Sequence, residues 1–345
     1  MTTRSFSLIA ALVLLAGHAL NSAEPPASDW EWNLPKGFPA PYVPPDNPMT
    51  MAKVTLGRYL FYDTRLSVNG KQSCASCHKQ ELAFTDGRAV GLGATGESHT
   101  RGAMSLVNVA WAGTLTWNNP QMKRLEDQAL VPMFGEHPVE LGLREGDRFL
   151  PAIRADHTYQ GLFKSAFPSD ADSFTIPNVT KAIASFERSI VSARSPYDRY
   201  HYDGDDGAVS AAAKRGEVLY FSQHISCFRC HGGFAFTDST VTARAPEREV
   251  EFHNTGVSAG EGTFKAPTLR NIAVTGPYMH DGSIPTLESI LDHYASGGRF
   301  HDTPGKDPLI GGFKLSPQER SDMVEFLMTL TDEPLLHDPR FASPW

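Results

Sequence analysis

Cys74-Ala75-Ser76-Cys77-His78 and Cys227-Phe228-Arg229-Cys230-His231 use all four cysteines of the 345-residue chain. Both segments are CxxCH. Two thiols at this spacing form thioethers to the vinyl groups of a haem, and the adjacent histidine then reaches the iron. A zinc site would gather four thiolates on one ion and leave both histidines unexplained. Disulfides would close loops over two residues. The pair therefore predicts two covalently bound haem c groups, with His78 and His231 as proximal iron ligands.

The flanks of the two motifs repeat each other. Leu56-Gly57-Arg58-Tyr59-Leu60-Phe61 precedes the first, and Arg215-Gly216-Glu217-Val218-Leu219-Tyr220-Phe221 precedes the second. Ala83-Phe84-Thr85-Asp86 matches Ala235-Phe236-Thr237-Asp238. Ser105-Leu106-Val107-Asn108-Val109-Ala110 matches Thr268-Leu269-Arg270-Asn271-Ile272-Ala273, and Leu125-Glu126-Asp127 matches Leu287-Glu288-Ser289. Blocks held in this order imply an internal duplication. The expected fold is mostly α, two related cytochrome c-like haem domains with long loops, spanning 50–200 and 201–345.

Helix signals support that class. Ile183, Phe186 and Ile190 keep helical spacing within a run from Asn178 to Ala193. Ser316-Pro317-Gln318-Glu319 is a capping box with proline at the first helical position, opening a helix whose apolar face is Met323, Phe326, Leu327 and Leu330. Strand signals are weak. Residues 24–49 are rich in proline and tryptophan and read as an extended surface arm. Residues 1–23 read as a secretory signal: Arg4, an apolar run from Leu8 to Ala16, and small residues before a cut after Ala23. The apolar run is too short for a bilayer span, so the mature chain is expected in the periplasm without a membrane span. With 31 basic and 39 acidic residues, the net charge of −8 argues against nucleic-acid binding.

The duplication separates the two haems. Leu287, Ile290, Leu291 and Tyr294 share one helical face. The matching face in the first half is Leu125, Gln128, Ala129 and Pro132. Tyr294 and Pro132 each lie seven residues after the matched leucine. A tyrosinate binds ferric iron and a proline cannot. The second haem is thus expected to be six-coordinate through His231 and Tyr294, with Met279, His280 and His293 as rival ligands. The first haem keeps an open face where peroxide can bind. Peroxide cleavage needs a base. Gln128 lies one turn before Pro132, and Glu140 is the next carboxylate, although spacing alone favours a solvated glutamate. Trp117 aligns with His280 ahead of the distal helix; a tryptophan there can carry electron holes or simply pack.

Together with Ser195-Pro196-Tyr197-Asp198-Arg199-Tyr200 and Pro277-Tyr278-Met279-His280-Asp281-Gly282, these features resemble the di-haem cytochrome c peroxidase and MauG family over nearly the whole mature chain. The resemblance implies a peroxide-reactive first haem, an inter-haem tryptophan at Trp117, and distal-pocket residues at Gln128 and Glu140. Tyr294 falls where ordinary peroxidases of the family have methionine and MauG has tyrosine. That substitution shifts the reading from peroxide removal toward protein modification, because tyrosinate stabilises oxidised iron.

Trp32-Asn33-Leu34-Pro35-Lys36-Gly37-Phe38-Pro39, Asp46-Asn47-Pro48-Met49 and Leu115-Thr116-Trp117 resemble the MbnH branch, paired with the copper-binding protein MbnP. That branch implies peroxide-driven oxidation of a partner tryptophan to kynurenine through a bis-Fe(IV) state. Two features depart from the family. Ile225 stands where MauG has a surface-leading tryptophan. The family's inter-haem calcium would use the Thr275 and Pro277 carbonyls, but its asparagine is replaced by Gly102 after Arg101. His99 lies where some peroxidases keep a displaceable haem ligand and is read here as a loop histidine. Four glycines between Gly87 and Gly96 suggest a mobile loop nearby. The competing functions are a cytochrome c peroxidase fed by a c-type cytochrome and, outside enzymes, a di-haem electron carrier with two closed haems.

Overall fold

The structure, a computed structural model, describes residues 29–144, 146–260 and 262–345. The leader expected over 1–23 lies outside the described residues. The chain is mostly helical, and extended pairing among the described residues is limited to isolated bridges such as Lys79–Thr85 and Tyr278–Ile284.

Each half is built on one helix pair. The Met51–Tyr62 helix crosses the Ile176–Arg188 helix, and the Ala211–Tyr220 helix crosses the Pro317–Met328 helix. All four begin on a side-chain cap: Thr50, Thr175, Ser210 and Ser316 each accept a backbone N–H three residues on. The Ser316–Glu319 capping box forms as the sequence expects. Leu56, Leu60, Phe61, Ile183 and Phe186 belong to the first core. Tyr220, Phe236, Met323, Phe326 and Leu327 belong to the second.

The matched glycines set both crossings. A Cβ on Gly57 would lie 1.9 Å from the Ala182 carbonyl oxygen, and one on Gly216 would lie 1.9 Å from that of Asp322. Matched asparagines lock the chain behind them. Asn108 and Asn271 both take left-handed backbone, at φ 57° and 63°. Asn108 bonds both the carbonyl and the N–H of Ser192. Asn271 bonds the Ser192 hydroxyl and the Asp332 N–H.

Two segments tie the halves together. Tyr197, from the Pro196–Asp203 helix, packs in the second core. At the C-terminus, Leu335, Leu336 and Phe341 return to the first core. There the Tyr62 hydroxyl donates to the Phe341 carbonyl at 2.7 Å, and the Gln80 amide donates to the carbonyls of Leu335 and Asp338.

Three sequence expectations change. The helix expected from Asn178 to Ala193 runs Ile176–Arg188, because Thr175 caps it and Pro177 occupies its first turn. Ile190 lies beyond it, yet fully buried. The arm has no regular structure but does not merely lie on the surface. Asn47 is fully buried and donates to Glu126 at 2.7 Å, while Phe38 packs on Trp111. The glycine-rich loop is pinned: Ala94 N–H donates to the Glu140 carbonyl, and the Asn69 and Gln72 amides hold the Ala94 and Leu92 carbonyls.

Helix propensity alone says that Gly57→Ala and Gly216→Ala should stabilise the protein. The close crossings reverse that sign. Each variant is expected to lose roughly 1–3 kcal/mol in denaturant unfolding of the haem-loaded protein. A gain in stability would show that the crossings relax freely.

Candidate functional site

Each CxxCH motif forms a single tight turn. Cys74–Cys77 is one α-helical turn, and Cys227–Arg229 is a 3-10 turn. In both, the histidine N–H closes on the first cysteine carbonyl, at 3.0 Å for His78 and 2.9 Å for His231. Beyond each turn the chain doubles back through a phenylalanine in left-handed backbone, Phe84 at φ 62° and Phe236 at φ 51°. Such residues are strained and persist only when their surroundings hold them.

What this turn accomplishes is clearest at the histidines. His78 Nδ1 lies 2.8 Å from the Phe84 carbonyl, and His231 Nδ1 lies 3.0 Å from the Pro267 carbonyl. A carbonyl only accepts, so Nδ1 carries the proton and Nε2 presents its lone pair. Burial holds both rings neutral, pulling their pKa values below the usual histidine range. A metal-binding histidine is oriented in the same way, by the hydrogen bond its other ring nitrogen gives to a carbonyl. The cysteines point the same way. Burial pushes the Cys77 thiol up to about 11 and the Cys227 thiol up to about 12, so neither is held as a free thiolate.

A cavity of about 280 Å³ opens against the second motif. Cys227, Cys230 and His231 form one wall. Leu287, Ile290, Leu291 and Tyr294, the face expected from sequence, form another. These residues fit a covalently held haem: two sulfurs, an oriented imidazole and apolar walls. Burial raises the Tyr294 hydroxyl pKa. A phenol held neutral by its surroundings ionises when ferric iron replaces its proton. Of the rival ligands, His293 directs Nε2 to the Thr255 carbonyl at 2.9 Å. His280 stacks on Phe264 at 3.8 Å. Met279 shares the cavity wall with Tyr294.

The first half differs where its sequence differs. The counterpart of the Leu287–Ala295 helix is broken into Leu125–Gln128 and Leu130–Phe134. Pro132 has no N–H to give the Gln128 carbonyl, so one continuous helix is not maintained. Gln128 ends the first piece, half-buried. The second piece ties down the following loop: Leu141 N–H donates to the Pro132 carbonyl and Leu143 N–H to the Met133 carbonyl, both at 2.8 Å. Glu140 therefore sits beside Pro132. Its carboxylate is 4.0 Å from His99 Nδ1, and its charge reaches Cys74 and Cys77. Burial raises the Glu140 pKa, with His99 opposing. Glu140 is half-buried, its side chain 34% exposed. His99 is a loop histidine whose Nε2 is buried without a hydrogen-bond partner.

Trp117 is placed with the second motif. It lines the cavity of the second and donates from Nε1 to the Gly102 carbonyl at 2.9 Å. Met104 lines the same cavity. Thr275 and Pro277 line the same cavity. Two carbonyls are a fraction of a calcium shell. Ile225 is buried in the second core.

Sequence reading missed several groups. His253 is clamped between Asp238, at 2.8 Å, and Asp307, at 2.6 Å, which with the neighbouring Cys230 sulfur raise its pKa to about 11. Buried Lys265 lines the cavity and gives its ammonium to the Thr114 carbonyl; burial pulls its pKa down to about 8. Glu187 is buried near Cys74 and pushed up to about 8 by burial. Only Asp238 carried a signal, through its place in the repeated Ala-Phe-Thr-Asp block.

Residues 51–207 match the family model described as di-haem cytochrome c peroxidase, and residues 263–299 match a RoxA-like, cytochrome c-like model. The methylamine utilization protein MauG of Methylophilus methylotrophus is 33% identical over 96% of both chains. Cytochrome c551 peroxidase of Nitrosomonas europaea is 32% identical over 89% of this chain and 86% of its own. A crystal structure of a MauG-like protein associated with microbial copper homeostasis superposes with a TM-score of 0.89 at 42% identity, covering 92% of this chain and 99% of the other.

Proposed function

The chain belongs to the di-haem cytochrome c peroxidase and MauG family of haem-dependent oxidoreductases acting with peroxide, and we propose that it uses hydrogen peroxide to oxidise a partner protein. The observation that carries this reading is the unequal pair Tyr294 and Pro132. The second cavity holds both His231 and the Tyr294 phenol in its lining, and the first half has a proline at the matched position. The haems, once attached, supply the iron that binds and cleaves peroxide. A tyrosinate ligand favours the oxidised side, so the second centre is suited to sharing oxidising equivalents rather than storing an electron. Glu140 then acts as the base: half-buried and beside Pro132, it would take the proton from the near peroxide oxygen and deliver it to the far one. Gln128 orients the bound oxygens, and Trp117 couples the two centres.

The likeness to the copper-homeostasis protein, with the arm motifs, directs the partner choice to a periplasmic copper-binding protein of the MbnP type. The modified residue is then a tryptophan converted to kynurenine. Opening the indole ring to the N-formyl product is a four-electron oxidation, so each tryptophan consumes two molecules of peroxide before hydrolysis releases formate. Export by the 1–23 leader fits this setting, and among the described residues no helix is long and apolar enough to cross a membrane. Calcium held by the Thr275 and Pro277 carbonyls belongs to the same reading. Met279 in the cavity wall favours one alternative: a peroxidase with a methionine-ligated second haem, reducing peroxide to water with electrons from a c-type cytochrome.

One equivalent of hydrogen peroxide added to the fully ferric protein, without reductant, separates the two. Loss of both ferric signals with slow return is expected. Reaction only after one haem is reduced would establish the peroxidase alternative. The Glu140 role has its own pH signature. Because burial raises its pKa, the basic form is lost as pH falls through a midpoint above the ordinary carboxylate value. The wild-type rate of peroxide reaction should fall with it. Glu140→Gln should slow the reaction about 10²–10⁴-fold and abolish that pH limb.

A further inference from the structure

Oxidising equivalents generated in the buried haem cavities need a route to a partner that cannot enter them. The MauG-type route is closed, because Ile225 is a buried aliphatic residue. A different set of aromatic rings leads outward. Trp111 is fully buried and lines the cavity that holds Cys227, His231 and Tyr294. Its ring lies 6.2 Å, centroid to centroid, from Trp32 of the N-terminal arm, and Trp32 lies 5.5 Å from Trp30. Both arm tryptophans are partly exposed. These spacings are those of aromatic rings in contact.

We propose that Trp111, Trp32 and Trp30 form a relay that carries oxidising equivalents from the second haem cavity to the arm, where the partner is oxidised. The relay rests on the peroxide-driven reading above. Each step is one electron moving inward: Trp111 gives an electron to the oxidised centre, Trp32 refills Trp111, Trp30 refills Trp32, and the partner refills Trp30. Two such electrons, with two protons, reduce one hydrogen peroxide to two waters.

The surroundings of Trp111 suit this role. Its Nε1–H donates to the Pro39 carbonyl at 2.8 Å, an acceptor too weak to remove the proton. The oxidised ring therefore stays a radical cation, and the electron returns without waiting for a proton. Phe38 and Phe234 pack on Trp111 at 5.6 Å each and insulate it, since phenyl rings are much harder to oxidise than indole. Trp345 provides an internal reference. It is 62% exposed and packs on Tyr59 and Tyr159, away from the cavity.

The test exposes the haem-loaded, full-length protein to hydrogen peroxide without partner or reductant. Oxidation at each tryptophan is then mapped by peptide mass spectrometry, and the ferric signals are followed in the same samples. Holes with no partner to fill them should mark Trp30 and Trp32 well above Trp345. Trp111→Phe should drop both to the Trp345 level when marking is normalised to the ferric signal lost in the same sample. Should Trp111→Phe fail to fold, Trp32→Phe, at a half-exposed position, should drop Trp30 alone. Equal marking of Trp30 and Trp32 in wild type and Trp111→Phe would mean direct attack by peroxide and overturn the relay. Loss of the ferric signals with no marking above Trp345 would overturn it too. Ferric signals that never respond in wild type would remove both the relay and the reading beneath it.

Discussion

Everything at the two motifs depends on one hydrogen bond made twice: a proximal histidine giving Nδ1–H to a buried backbone carbonyl. Without it the ring is free to rotate and to protonate either nitrogen. With it, Nε2 is the single lone pair and points one way. In the first half the carbonyl comes from Phe84, where the chain turns back sharply in left-handed backbone; in the second it comes from Pro267, while Phe236 makes the matching left-handed turn. The surroundings hold that strain. Both phenylalanines are buried in their cores, and the segments they meet are fixed by Asn108 and Asn271. The glycine-mediated helix crossings bring those cores close enough to do so.

Given two such frames, function comes from where they stop matching. Replacing the tyrosine position of one half by proline has two linked effects. It takes away the phenol proposed as a ligand, and it breaks a helix. The broken end then anchors the loop that carries Glu140, so under the proposed function one residue both leaves the first face open and places the base. Burial keeps that carboxyl from ionising as early as an exposed one. In the second half the helix is intact, and its Leu287, Ile290, Leu291 and Tyr294 face closes the cavity.

Much of this was readable from local pattern. The haem motifs, the duplication, the capping box at Ser316 and the face carrying Tyr294 are all short-range signals, fixed by spacing along the chain. What escaped reading depends on distant partners. Nothing near Lys265 or Glu187 in sequence announces burial, and His253 acquires its charge from residues 15 and 54 positions away. The arm was read as surface because proline-rich composition excludes regular structure, not burial; Asn47 and Phe38 show the difference. Glycines in 87–96 suggested mobility, yet the loop is stitched by side-chain amides that no local rule foresees.

The account turns on one open and one tyrosine-closed haem, and electron paramagnetic resonance of the resting ferric protein tests that most directly. A high-spin signal from the first haem together with a single low-spin set from the second is what the structure leads us to expect, with the low-spin set lost in Tyr294→Phe. Two low-spin sets and no high-spin component would mean both faces are closed, and would contradict the account.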